Sequence, residues 1–204
     1  MTIETACRSI QAAVDKAASG NTIYVAEGTY TVGIDEVVYI QKSITLSGGW
    51  NADFTAQTGR SVVDGQATKR PVYIVSGAIV IIDRVTIRNG SAPASVWGTD
   101  FGYRGGGIYN SGTLTITNSI IENNTAKDSG GGIYNIGNLT ISDTVVRNNQ
   151  ANRYGGGIVN YAQQVNIIRT SFEQNSAHYG GAISNSYGGR VTIEASSFQS
   201  NSAD

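Results

Sequence analysis

From residue 105 onward, apolar and polar residues alternate in short tracts: Leu114-Thr115-Ile116, Leu139-Thr140-Ile141, Val165-Asn166-Ile167 and Val191-Thr192-Ile193. A period of two is the pattern of half-buried strands, whereas helical repeats would show runs of period 3.6. The tracts recur at nearly constant spacing. Gly-Gly-Gly-Ile stands at 105–108, 130–133 and 155–158, and Gly-Gly-Ala-Ile at 180–183, so the starts are 25 residues apart. A second landmark, an apolar residue followed three places later by Asn, falls at Ile121 and Asn124, Val146 and Asn149, Phe172 and Asn175, and Phe198 and Asn201, stepping by 25, 26 and 26. The extra residues lie between Ile158 and Val165 and between Ile183 and Val191, where a turn can absorb them.

Each repeat thus predicts about three short strands joined by Gly- and Asn-rich turns. One such unit cannot bury its apolar side alone, but stacked units can, with successive coils about 4.8 Å apart like neighbouring strands of a sheet. The reading is an all-β, right-handed parallel β-helix, and it predicts columns. Ile108, Ile133, Ile158 and Ile183 form one interior column; Leu114, Leu139, Val165 and Val191 a second; Ile121, Val146, Phe172 and Phe198 a third. Asn110, Asn135, Asn160 and Asn185 form a ladder of stacked amides. Outward, Arg88, Glu122, Arg147 and Glu173 alternate in sign from coil to coil, as stacked charges require if they are not to repel.

Towards the N-terminus the pattern loosens. Residues 22–92 read as irregular coils, with strands expected at Thr22–Val25, Ser43–Leu46 and Ser61–Val63. Residues 93–104 are an inserted loop, and 105–204 are four regular coils of about 25 residues, all in one β-helix domain. Residues 8–19 break the period: Ile10, Ala13, Val14, Ala17 and Ala18 share a helical face and Gly20 follows as a C-terminal cap. This N-terminal helix is expected to cover the first coil, whose strand edges would otherwise be unpaired. The tract ending at Asp204 closes a coil without a comparable cap, so the chain is expected to belong to a longer protein.

The tract Ser9-Ile10-Gln11-Ala12-Ala13-Val14-Asp15-Lys16-Ala17, followed by Thr22 to Tyr30 and by Ile40 to Leu46, resembles the N-terminal cap and first coils of the pectin-lyase-like superfamily. The second half, with Gly-Gly-(Gly/Ala)-Ile and the Phe-x-x-Asn of Phe172 to Asn175 and Phe198 to Asn201, resembles the repeats of bacterial polymorphic outer membrane proteins. The first resemblance implies the fold and admits polysaccharide chemistry. The second implies adhesion or display at a cell surface.

Composition narrows the function. With 14 basic and 15 acidic residues the formal net charge is −1, lacking the basic excess that a nucleic-acid partner would demand. No apolar run is long enough to insert this segment in a membrane, and the first residues lack the shape of a signal peptide; a secreted or cell-surface location is nonetheless expected. Cys7 is the only cysteine and His178 the only histidine, so neither a disulfide framework nor a familiar metal or cofactor site is implied. A lyase of the superfamily would need a base together with a group that neutralises a uronate carboxylate. The basic-rich neighbourhood is Asp64, Lys69, Arg70, Arg84 and Arg88, which reads as turn and ladder residues. Paired Asp motifs and a Gly-His-Gly tract are absent, and Glu27-Gly28-Thr29-Tyr30 is a superficial match to an esterase signature. The triple glycines fit tight turns or close backbone approach rather than a phosphate loop.

Aromatic residues remain as the candidate surface. Tyr109 and Tyr134 lie side by side outside the Ile column, Tyr154 and Tyr179 precede successive Gly-Gly turns, and Trp97, Phe101 and Tyr103 occupy the insertion with Asp100 and Arg104. Tyr suits half-exposed strand positions, and such rings could also stack on sugars. The expectation is a non-catalytic stalk or adhesin-like module contacting a polysaccharide or host cell-surface glycan. The alternatives are a lyase-like polysaccharide-processing enzyme and self-association through the C-terminal coil.

Overall fold

The computed structural model describes residues 6–92, 103–161 and 163–204. The chain winds into a parallel β-helix. Two of its sheets are seven-stranded, one is six-stranded and one is four-stranded, and within each sheet neighbouring strands come from successive coils. In the regular coils, sheet I contains Thr113–Thr117, Asn138–Ser142, Gln164–Ile168 and Arg190–Glu194. Sheet II contains Ile120–Glu122, Val145–Arg147, Ser171–Glu173 and Ser197–Gln199. Sheet III contains Ile108–Asn110, Ile133–Asn135, Ile158–Tyr161 and Ile183–Ser186. The expected three strands per repeat are in fact four, because two-residue strands such as Thr125–Ala126 and Gln150–Ala151 pair into sheet IV.

All three predicted apolar columns are in register. Their members are buried up to Phe172, each such side chain contributing about 1.5–3 kcal/mol of hydrophobic stabilisation. In the last coil the third column opens at Phe198, 44% exposed, and so does the neighbouring column of Ile116, Ile141 and Ile167 at Ile193, 48% exposed. The irregular coils join the same columns: Val38 pairs with Val72 and Val72 with Ile108, while Ile74 lies against Asn110, where the amide ladder starts.

The predicted ladder is continuous. Nδ2 of Asn110 donates to Oδ1 of Asn135 at 2.6 Å, Asn135 to Asn160 at 2.9 Å, and Asn160 to Asn185 at 2.8 Å. A second ladder, not read from the sequence, runs through the Asn landmarks: Asn124 donates to Asn149 at 2.9 Å, Asn149 to Asn175 at 3.0 Å, and Asn175 to Asn201 at 2.9 Å. Each of these amides also closes backbone groups of the preceding coil that a corner would leave unpaired, accepting from an N–H and donating to a carbonyl there, as Asn149 does with the Asn124 N–H and the Ile121 carbonyl. A third buried polar column, Ser119, Thr144 and Thr170, uses hydroxyls: each donates to the carbonyl two residues before it, and Ser119 and Thr144 accept an N–H of the preceding coil.

Corners explain the glycines. Gly105, Gly130, Gly155 and Gly180 have φ of 67°, 71°, 59° and 67°, a region that favours glycine. The second glycine is needed for space, since a Cβ on Gly131 would stand 2.4 Å from the Gln150 carbonyl and 2.5 Å from that of Gly156. Four successive N–H groups at this corner, Gly130 to Ile133, donate to the next coil at Tyr154, Gly155, Gly156 and Gly157. The other corners use Asn118, Asp143 and Arg169, and Asn123, Asn148 and Gln174, all with positive φ, where Asn and Asp are the commonest non-glycine choices.

The cap helix spans Ile10–Lys16, shorter than 8–19, with Ser9 as N-cap accepting from Ala12 N–H. Ile10 and Val14 are buried against the first coil. Gly20 is not the cap: the helix ends at Ala17, whose backbone is extended, and Gly20 (φ 87°) turns the chain three residues later. The charge column is longer than expected, since Asp64 pairs with Arg88 in register below Glu122, Arg147 and Glu173. Ion pairs close at 2.8 Å (Arg88 to Asp64) and 2.7 Å (Arg147 to Glu122).

Candidate functional site: the tyrosine face of sheet III

The outward side of sheet III carries one column of tyrosines. Tyr39, Tyr73, Tyr109 and Tyr134 follow each other in register, with ring centroids 5.2, 4.8 and 5.4 Å apart. These separations match the coil spacing of about 4.8 Å, so the rings follow one another along the helix axis, Tyr73, Tyr109 and Tyr134 face to face and Tyr39 tilted by 31°. The Tyr73 and Tyr109 planes are 3° from parallel. Sequence reasoning found Tyr109 and Tyr134 but not Tyr39 and Tyr73, which lie in coils of irregular length.

That stacking corrects one expectation. Tyr109 and Tyr134 are not half-exposed: they are 2% and 3% accessible, because coil neighbours cover their faces and arginines lie over them. The Arg70 guanidinium carbon is 5.4 Å from the Tyr73 centroid and 5.5 Å from that of Tyr109, and Arg104 is 5.3 Å from that of Tyr134. Burial raises the pKa of Tyr73, Tyr109 and Tyr134 above that of a free phenol.

Arg70 is buried. It pairs with Glu36 at 2.7 Å and donates to the carbonyls of Gly105 (2.9 Å) and Arg104 (3.0 Å). Desolvation lowers the Arg70 pKa and raises that of Glu36, each partly offset by the other's charge. Arg104 in turn donates to Asp128 at 2.7 Å and to the Tyr134 hydroxyl at 3.1 Å.

Beside this column runs a second one at the position before the first corner glycine. Tyr154 and Tyr179 stack there at 5.3 Å, Arg153 lies 5.2 Å over Tyr154, and Arg153 reaches Asp128 at 3.6 Å. Tyr154 packs on the Tyr109, Tyr134 and Val159 cluster, so the two columns form one face. Tyr179 is 53% exposed, with His178 edge-on to its ring at 4.2 Å. Tyr103 is exposed and contacts Lys127 at 5.8 Å. Tyr103, Arg104, Tyr109, Tyr134, Tyr154 and Tyr179 therefore belong to one neighbourhood, while Trp97, Asp100 and Phe101 lie outside the described residues. The sequence also missed Tyr161 and Tyr187, whose rings are 4.1 Å apart at the edge of sheet III.

Four of the five residues of the basic-rich neighbourhood, Asp64, Lys69, Arg70 and Arg88, make structural contacts. Arg70 is engaged as above, Lys69 donates to the Thr31 carbonyl at 3.1 Å, and Arg88 pairs with Asp64. The Asp64 carboxyl, though burial opposes it, is held below its ordinary pKa by the Gln66 N–H, Arg88 and Asn89.

Two stretches of the chain, residues 118–136 and 169–186, match the Chlamydia polymorphic membrane protein repeat. Each runs from a positive-φ corner through sheet II and a ladder Asn to the glycine corner and sheet III. No curated protein and no solved structure matches the chain. The repeat match points to a surface-exposed β-helical module of a bacterial outer-membrane or surface protein.

Proposed function

We propose that this chain is a non-catalytic stalk of a surface protein that presents a glycan-contacting face. The uninterrupted ladders carry this reading: side-chain hydrogen bonds link every regular coil to the next, from the Gly90 N–H through Asn124 to Asn201, and so make a stiff rod. Along that rod the stacked rings offer edges and hydroxyls, since their faces are taken by neighbours. Ring faces for a sugar come from the ends of the stacks and the rim of the insertion. Tyr103, Arg104, Tyr154 and Tyr179 are the contacts, joined by Trp97, Asp100 and Phe101 of the inserted loop. Tyr109 and Tyr134 support them from beneath. The ligand class is a polysaccharide or cell-surface glycan.

Glycan-array binding with the purified chain tests this. Specific binding that disappears in a Tyr103→Ala/Tyr179→Ala variant of unchanged circular dichroism is the expected result. Release of unsaturated uronate from acidic polysaccharides would replace the reading with the lyase-like enzyme, and no binding would leave a plain stalk. Self-association through the coil that carries Ile193 and Phe198 is a second reading. A concentration-dependent size on a gel-filtration column, abolished by Phe198→Asp/Ile193→Asp, would establish it.

A further inference from the structure

The extra residues that lengthen two turns of sheet III carry a tyrosine each. Tyr161 ends the strand Ile158–Tyr161, and Tyr187 follows the strand Ile183–Ser186 one coil later. Tyr187 has φ 55°, an uncommon conformation for a bulky side chain, and it is followed by Gly188 at 79°. That backbone turns the Tyr187 ring onto Tyr161, with centroids 4.1 Å apart and planes at 35°. Both rings reach solvent, Tyr187 being 73% exposed.

The pair is also the end of a longer series. From Tyr39 through Tyr73, Tyr109 and Tyr134 to Tyr161 and Tyr187, successive centroids are 5.2, 4.8, 5.4, 6.5 and 4.1 Å apart. Oxidising a phenol to a stable radical requires its proton to leave. The inner rings are buried beside the cationic Arg70 and Arg104, which disfavour added positive charge. At Tyr161 and Tyr187, both open to solvent, water can accept the proton, and these two rings lie closer together than any other neighbours in the series.

We infer that Tyr161 and Tyr187 are a site of oxidative cross-linking, a dityrosine staple between two consecutive coils. Each phenol loses one electron and one proton. The two phenoxyl radicals join by a carbon–carbon bond between ring positions ortho to oxygen, and the hydrogens on those carbons move to the oxygens, restoring two phenols. The oxidant is a peroxide acting through a haem peroxidase; hydrogen peroxide takes the two electrons and two protons and leaves as two waters.

The test treats the full chain at low concentration with hydrogen peroxide and a haem peroxidase, then measures dityrosine fluorescence of the monomer band and sequences linked peptides. Tyr154 and Tyr161 share one tryptic peptide and Tyr179 and Tyr187 another, so variants assign the bond. The expected result is a linked pair of these peptides in wild type and in Tyr179→Phe, and its loss in Tyr161→Phe and in Tyr187→Phe. Both tyrosine-to-phenylalanine changes keep the ring and the fold. A link that survives Tyr187→Phe, dityrosine found only between chains, or no dityrosine at all would overturn the inference.

Discussion

Replacing Asn149 by Ala tests whether the inner ladder stabilises the coils or merely fits between them. The side chain takes part in four hydrogen bonds: it accepts from the Asn124 N–H (3.1 Å) and Asn124 Nδ2 (2.9 Å), and it donates to the Ile121 carbonyl (2.9 Å) and Asn175 Oδ1 (3.0 Å). All of it is buried, and water cannot readily replace it. At about 1 kcal/mol for each net hydrogen bond, and more for a buried group left unpaired, the loss is about 4 kcal/mol. For a chain of this size that lowers Tm by roughly 8–16 °C. Asn201 is the control, because it performs the same chemistry at the open coil, where solvent reaches it; Asn201→Ala should cost about 1 kcal/mol. A solenoid is stabilised by neighbour-to-neighbour terms, so thermal unfolding is best paired with hydrogen exchange at the Asn124 amide, which should quicken in Asn149→Ala alone. Equal losses from the two variants, or an unchanged Asn124 amide, would refute the argument that burial gives the ladder its strength.

Gly131→Ala forces a Cβ against two backbone carbonyls at 2.4 and 2.5 Å; coils must separate, and thermal denaturation should show a loss of about 3 kcal/mol, the scale of severe overpacking. Alkaline titration read by phenolate absorbance should show Tyr73, Tyr109 and Tyr134 silent where exposed tyrosines ionise. Because folding raises their pKa, the stability they contribute is complete below the ordinary value of 10.0 and is lost as pH rises through the folded values, so urea midpoints should fall in strong base. Glu122→Lys places three cations in succession with Arg88 and Arg147; a loss of about 1 kcal/mol that shrinks in high salt is expected from denaturant curves at two ionic strengths.

The regular half of the molecule was legible because its period is nearly constant: once Ile108, Ile133, Ile158 and Ile183 are aligned, Asn110 to Asn185 and Arg88 to Glu173 fall into place without further assumption. What escaped had physical reasons. Sheet IV rests on two-residue strands, too short to show alternation. The landmarks Asn124 to Asn201 were visible, but that they pair with one another depends on the corner turning their amides inward. Tyr39 and Tyr73 belong to coils whose lengths vary, so only hydrogen-bonded register brings them beneath Tyr109. Burial of Tyr109 and Tyr134 was illegible for a different reason, since outward residues on a strand usually face water and these are covered by each other and by Arg70 and Arg104.

The glycine corner has an electrical consequence. Its peptide groups all point one way, with N–H groups facing the following coil and carbonyls the preceding one, so their dipoles add along the rod as they do along an α-helix. The column begins where the carbonyls of Arg104 and Gly105 would face the preceding coil unpaired, and the buried guanidinium of Arg70 sits on both. Arg70 thus neutralises the negative pole of a macrodipole that starts with the first regular coil. The opposite pole, at the amides of Gly180 to Ile183, carries partial positive charge and favours carbonyl or carboxylate oxygens over cations.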